Sequence, residues 1–132
     1  MKSIQYTLLT FVIITLASCT REVEDRLPDD WAYNDISTVT VTYNGNTSSE
    51  SESHTGNATF DKDGTGVVEI DGISSQIEWE TKEDSVFIFN EGTKTSFFVE
   101  DNSRDQQVWK STVTETGDNY SFTTEFTITL TQ

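Results

Sequence analysis

One cysteine, one histidine and 23 carboxylates are the groups from which this 132-residue chain could build chemistry. Cys19 is the only thiol, and an odd cysteine in a secreted chain is a reactive group, an intermolecular bridge or an attachment point. His54 lies in the stretch 44–57, which is rich in serine and holds no apolar residue. A catalytic imidazole must be held rigidly beside a nucleophile and an orienting acid, and a zinc site needs several ligands. That stretch reads as a loop and His54 as a solvated loop residue. Asp61 and Asp63, with Gly66 at the sixth position, match the start of a calcium loop, but the twelfth position is Gly72 where a bidentate carboxylate belongs. We read a hairpin turn there, with weak calcium binding through Asp61 and Asp63 as the alternative. Gly64 and Gly66 lack the lysine and helix of a phosphate loop. Carboxylate pairs of the glycosidase kind arise by number alone, but a domain this small rarely shapes a cleft that shields them. The expectation is therefore a protein that is not an enzyme and carries no cofactor.

What positions Cys19 is the segment before it. Met1-Lys2 is a short positive start, residues 8–16 are apolar except for Thr10 and Thr15, and Ala17 and Ser18 are small. That is the pattern of a secretory signal, too short to span a bilayer. Leu16-Ala17-Ser18-Cys19 resembles the lipobox of bacterial lipoproteins. The resemblance implies cleavage after residue 18, lipidation of Cys19 and a membrane anchor in the cell envelope, facing the periplasm or the surface. At least two acyl chains are needed for stable anchoring. Residues 19–28 are charged, contain the only proline and read as the lipidated cysteine and a flexible acidic tether. Acids soon after the cysteine also resemble the surface-export signal of Bacteroidetes lipoproteins, and Asp84-Ser85-Val86 resembles a glycosylation signal of that group, with a solvated spacer and a plain turn as the respective alternatives.

Removing residues 1–18 takes away one base, Lys2, and leaves all 23 acids against seven bases. Nucleic-acid affinity rests on cations that displace counterions, so a nucleic-acid partner is not expected.

From residue 29 onward the apolar positions alternate. Tyr120, Phe122, Phe126, Ile128 and Leu130 share one parity, and Ser121, Thr123, Glu125, Thr127, Thr129 and Thr131 fill the other. Val39, Val41 and Tyr43, and then Ile73, Ile77 and Trp79, repeat the pattern. Period two marks strands with one wet face. Nineteen threonines follow residue 18, suiting the solvent side of a pleated sheet. Turn dipeptides such as Asp63-Gly64, Asp71-Gly72 and Glu91-Gly92 separate the runs. We place eight strands at 33–43, 57–61, 66–71, 73–80, 85–90, 93–100, 106–115 and 120–131. The fold class is all-β, an antiparallel up-and-down meander forming a barrel or half-barrel, with a two-sheet sandwich as the rival.

Trp31, the hairpin 59–66, Ile77-Glu78-Trp79 and the long closing strand resemble the lipocalin-like domains of small bacterial lipoproteins of the Bacteroidetes type. The resemblance covers most of 29–132 and implies a small extracytoplasmic β-barrel. In Val86-Phe87-Ile88-Phe89 and Phe97-Phe98, neighbours point to opposite faces, so both faces of these strands are apolar. Such strands are covered twice, or one face binds something. Phe87, Phe89, Phe97, Phe98 and Trp109 are thus the candidate ligand-binding residues, while the three tryptophans read first as core. Two functions fit: capture of a small apolar or amphipathic ligand, or docking as an accessory subunit to an outer-membrane or surface protein complex.

Overall fold

Residues 22–132 are described by the structure, a computed structural model. Residues 1–18, read as a signal segment, and Cys19 lie outside them. A short helix α1 (Val23–Arg26) precedes eight strands: β1 (Asp30–Tyr43), β2 (Asn46–Phe60), β3 (Thr65–Ile70), β4 (Ile73–Lys82), β5 (Ser85–Asn90), β6 (Thr93–Asn102), β7 (Gln106–Thr116) and β8 (Tyr120–Thr131). Each pairs antiparallel with the next, and β8 returns to pair with β1, so the meander closes into a barrel. Of the architectures left open by the pattern, the half-barrel and the sandwich are therefore excluded. No helix among the described residues is long and apolar enough to cross a membrane.

The expected loop at 44–57 is instead a strand. Its twelve residues from Asn46 to Asn57 pair one for one with β1, through a two-residue turn at Asn44-Gly45. Both turn residues have positive φ, +48° and +81°, which Asn and Gly adopt at least cost. No apolar residue signals this strand because its outward side chains are hydroxyls. Thr38 bonds Ser51 at 2.8 Å, Thr40 bonds Ser49 at 2.9 Å and Thr42 bonds Thr47 at 2.9 Å across the β1–β2 ladder. Cross-strand pairs of this kind contribute roughly 0.2–1 kcal/mol each.

The strands are unequal. β1 and β2 have 14 and 15 residues, β3 and β5 only six. β3 therefore meets β2 only from Gly56 to Phe60, and β6 meets β7 only from Gln107 to Lys110. Beyond those points β2, β1, β8 and β7 continue as an open four-stranded sheet that projects past one end of the barrel. At Gly56, where β2 leaves β3, a Cβ would overlap the Glu69 carbonyl oxygen, so only glycine permits the close crossing.

The opposite end is closed by α1. The sequence suggested a tether up to Pro28, but Val23 and Leu27 are buried in the core and the Trp31 indole N–H donates to the Leu27 carbonyl at 2.9 Å. A composition argument averages over the segment. Two apolar side chains at i and i+4 on one helix face are enough to dock it, at about 1.5–3 kcal/mol for a fully buried leucine.

Above α1 the core is aromatic. Trp31, Trp79 and Trp109 are all buried, as the sequence suggested. Phe60 sits edge-on to Trp79 at 6.1 Å and to Trp109 at 5.7 Å, and Phe97 lies 6.0 Å from Trp109. Each indole N–H finds an acceptor: Trp79 donates to the carbonyls of Asp61 and Thr65, and Trp109 to the Gln107 side chain at 3.0 Å. These rings stabilise a fold short of aliphatic residues.

Candidate functional site

Over the Phe60, Phe97 and Trp109 rings the barrel interior is open. A cavity of about 610 Å³ runs from this floor to the end from which the long strands project. Its size lies in the range of small-molecule sites. Val68, Ile70, Ile77 and Ile88 form the walls, Ile73 and Asp71 stand at the rim, and Phe126 joins it to the projecting sheet.

The one concentrated polar feature of the wall is built by β1 and β2. Tyr33 and Asp35, two residues apart, share the inner face of β1, and the register places His54 of β2 directly opposite Asp35. The Tyr33 hydroxyl donates to Asp35 Oδ2 and His54 Nδ1 donates to Asp35 Oδ1, each at 2.9 Å. Asp35 is only 4% exposed, and the two bonds satisfy both oxygens of an otherwise costly buried carboxylate. The His54 side chain is 40% exposed. The hydrogen bond that His54 donates to Asp35, followed by the charge of Asp35, raises the His54 pKa above its ordinary 6.5. Burial, followed by the charge of Asp35, pushes the Tyr33 hydroxyl well above its ordinary range. His54 is thus not a free loop residue but part of the cavity rim. Sequence reading missed it because the pairing of residues 19 apart depends on the register of a strand that hydrophobic periodicity does not reveal.

The five aromatic candidates divide between two faces. Phe97 and Trp109 point inward and line the cavity. Phe87, Phe89 and Phe98 alternate with Val86, Ile88 and Phe97 and lie on the outer wall, so they do not belong to the cavity. Lys94 lies over the Phe87 and Phe89 rings, 4.2 and 5.2 Å from their centres, and Phe98 is 57% exposed. Both faces of these strands are apolar, but only one of them lines the interior.

At the turn once weighed for calcium, Asp63 Oδ1 accepts from the Thr65 N–H at 3.0 Å and the Thr65 hydroxyl at 2.6 Å. These bonds lower its pKa and employ the carboxylate in closing the turn. Among the described residues no three His, Cys, Asp or Glu side chains are grouped to hold a metal ion.

Compared with protein-family models, curated proteins and solved structures, the chain shows no match to any of them.

Proposed function

We propose that this chain is a lipid-anchored protein of the bacterial cell envelope whose lipocalin-like barrel captures a small apolar or amphipathic ligand, acting by binding and not by catalysis. The observation that carries the reading is the open cavity of about 610 Å³, apolar along its walls and floored by Trp109. Burial of an apolar ligand there would release water from isoleucine, valine and ring surfaces, at about 25 cal/mol per Å². The lipid on Cys19 would hold the barrel at a membrane, where such ligands concentrate. The resemblance of residues 16–19 to a lipobox supports a lipid anchor, and we place it in the outer membrane, facing either the periplasm or the surface.

The test is tryptophan emission of residues 20–132, which contain every residue of the described core. Titration with fatty acids, retinoids and haem should change the emission saturably for at least one compound. Emission that is blue-shifted and indifferent to all of them would contradict ligand capture.

A second reading has its own support. The inner face of the projecting sheet carries Val41, Tyr43, Val113, Tyr120 and Phe122, all exposed. An apolar face of that kind marks contact with another molecule, and docking to an outer-membrane or surface protein complex would cover it. Pull-down from envelope membranes that is abolished by Tyr43→Ser with Tyr120→Ser, while the emission titration stays negative, would favour this reading over ligand capture.

A further inference from the structure

The open end of the barrel is acidic and, among the described residues, its turns and inner side hold no lysine or arginine. The strand order fixes this. The turns at that end are Asn44-Gly45, Asp71-Gly72, Glu91-Gly92 and 117–119, which bring Asp71, Glu91 and Asp118. Register turns Glu50, Glu52 and Glu115 to the inner side of the projecting sheet, opposite Val39, Ser37 and Phe122. The described cations lie elsewhere. Arg26, Lys62, Lys82 and Arg104 belong to the closed end, in α1 and the turns beside it. Lys94, two residues past the Glu91-Gly92 turn, and Lys110 lie on the outer wall, where they meet Glu80 at 3.4 Å and Glu100 at 2.9 Å. Inside, the Asp35 carboxylate is held by Tyr33 and His54, and Asp71 reaches the cavity rim.

We infer that the cavity selects amphipaths with a cationic head, an alkylammonium type of ligand, whose apolar body reaches toward Phe97 and Trp109 while the head stays between Asp71 and Glu52, beside the Asp35–His54 pair. This rests on the ligand-capture reading above and names its substrate class. A fatty-acid carboxylate entering the same way would meet like charges with His54 as the only opposing group. An ammonium head would meet Asp71 at the rim and Glu52 on β2, and fixed acidic charge also raises the local concentration of cations.

Residues 20–132 titrated by calorimetry with dodecylammonium, dodecanol and dodecanoate, each below micelle formation at neutral pH and low salt, separate body from head. Dodecylammonium should bind roughly tenfold or more tighter than dodecanoate, with dodecanol between, since opposite and like charges near a surface differ by on the order of a factor of ten or more. Asp71→Asn combined with Glu52→Gln should shrink that ratio; asparagine tolerates the φ of +51° at position 71, so the turn is preserved. Ser75→Trp, which fills the cavity, should abolish dodecylammonium binding. Equal or tighter binding of dodecanoate, an unchanged ratio in the double variant, or dodecylammonium binding that survives Ser75→Trp would each overturn the inference while leaving dodecanol capture standing. If none of the three binds, ligand capture itself falls and this inference with it.

Discussion

At the scale of single residues, the structure assigns different work to side chains that the sequence makes look alike. Trp109, buried to 1%, is both core and cavity floor, whereas Phe98 is an outer-wall residue. Trp109→Ala should therefore cost about 3–5 kcal/mol, and Phe98→Ala no more than about 0.5 kcal/mol. Denaturant unfolding measures both, and equal losses would contradict the inward and outward assignment. The Asp35–His54 pair gives a pH signature. Because the folded pKa of His54 is raised, the pair's contribution to stability is fully present below pH 6.5 and is lost as pH rises through the raised value. The other groups acting on His54 are Asp71 and Glu52, which raise its pKa further. An NMR titration should give a midpoint above 6.5 that falls back in Asp35→Asn; a midpoint at the ordinary value in both would remove the pair. The burial of Trp109 was legible beforehand; the outward face of Phe98 and the Asp35–His54 pair were not. Period-two apolarity shows that residues alternate, but where both parities are apolar, as in residues 86–89, it does not say which one faces in.

At the scale of elements, seven of the eight strands were legible over most of their length, because each carries apolar residues at strand spacing between turn signals. Of β2 only the end, placed at 57–61, was; the stretch from Asn46 to Gly56 was not, since its hydroxyl and carboxylate side chains carry no hydrophobic period and its partner is what makes it a strand. α1 escaped for a related reason: four residues reading Val-Glu-Asp-Arg are polar on average, and only docking of Val23 and Leu27 makes them structure. Leu27→Ala should lower stability by about 2–5 kcal/mol. A loss near zero would mean that the segment is a tether after all. The unequal strand lengths also had a visible source, since the strands placed at 33–43, 106–115 and 120–131 are longer than those placed between 66 and 90. What could not be read is that the surplus is shared by four neighbouring strands and so leaves the barrel as one sheet.

At the scale of the whole molecule, charge and cavity act together. Removal of residues 1–18 would leave sixteen more acids than bases, and the described cations stand at the closed end and on the outer wall. Self-repulsion opposes the compact state, so moderate salt should raise the melting temperature by screening it. An unchanged or lower value would show that repulsion is not a significant part of the stability. The all-β class, the meander and the aromatic core were accessible from pattern and composition; closure was not, because it depends on β8 meeting β1 across the length of the chain. The central claim is that the closed barrel encloses a cavity open to apolar ligands. Its most direct test is titration of residues 20–132 and of Ser75→Trp with dodecanol, whose neutral head leaves charge out of the comparison, followed by the emission of Trp109 at the cavity floor. Saturable one-to-one binding that disappears when the cavity is filled is the expected result. Non-saturable binding, or binding indifferent to Ser75→Trp, would contradict it.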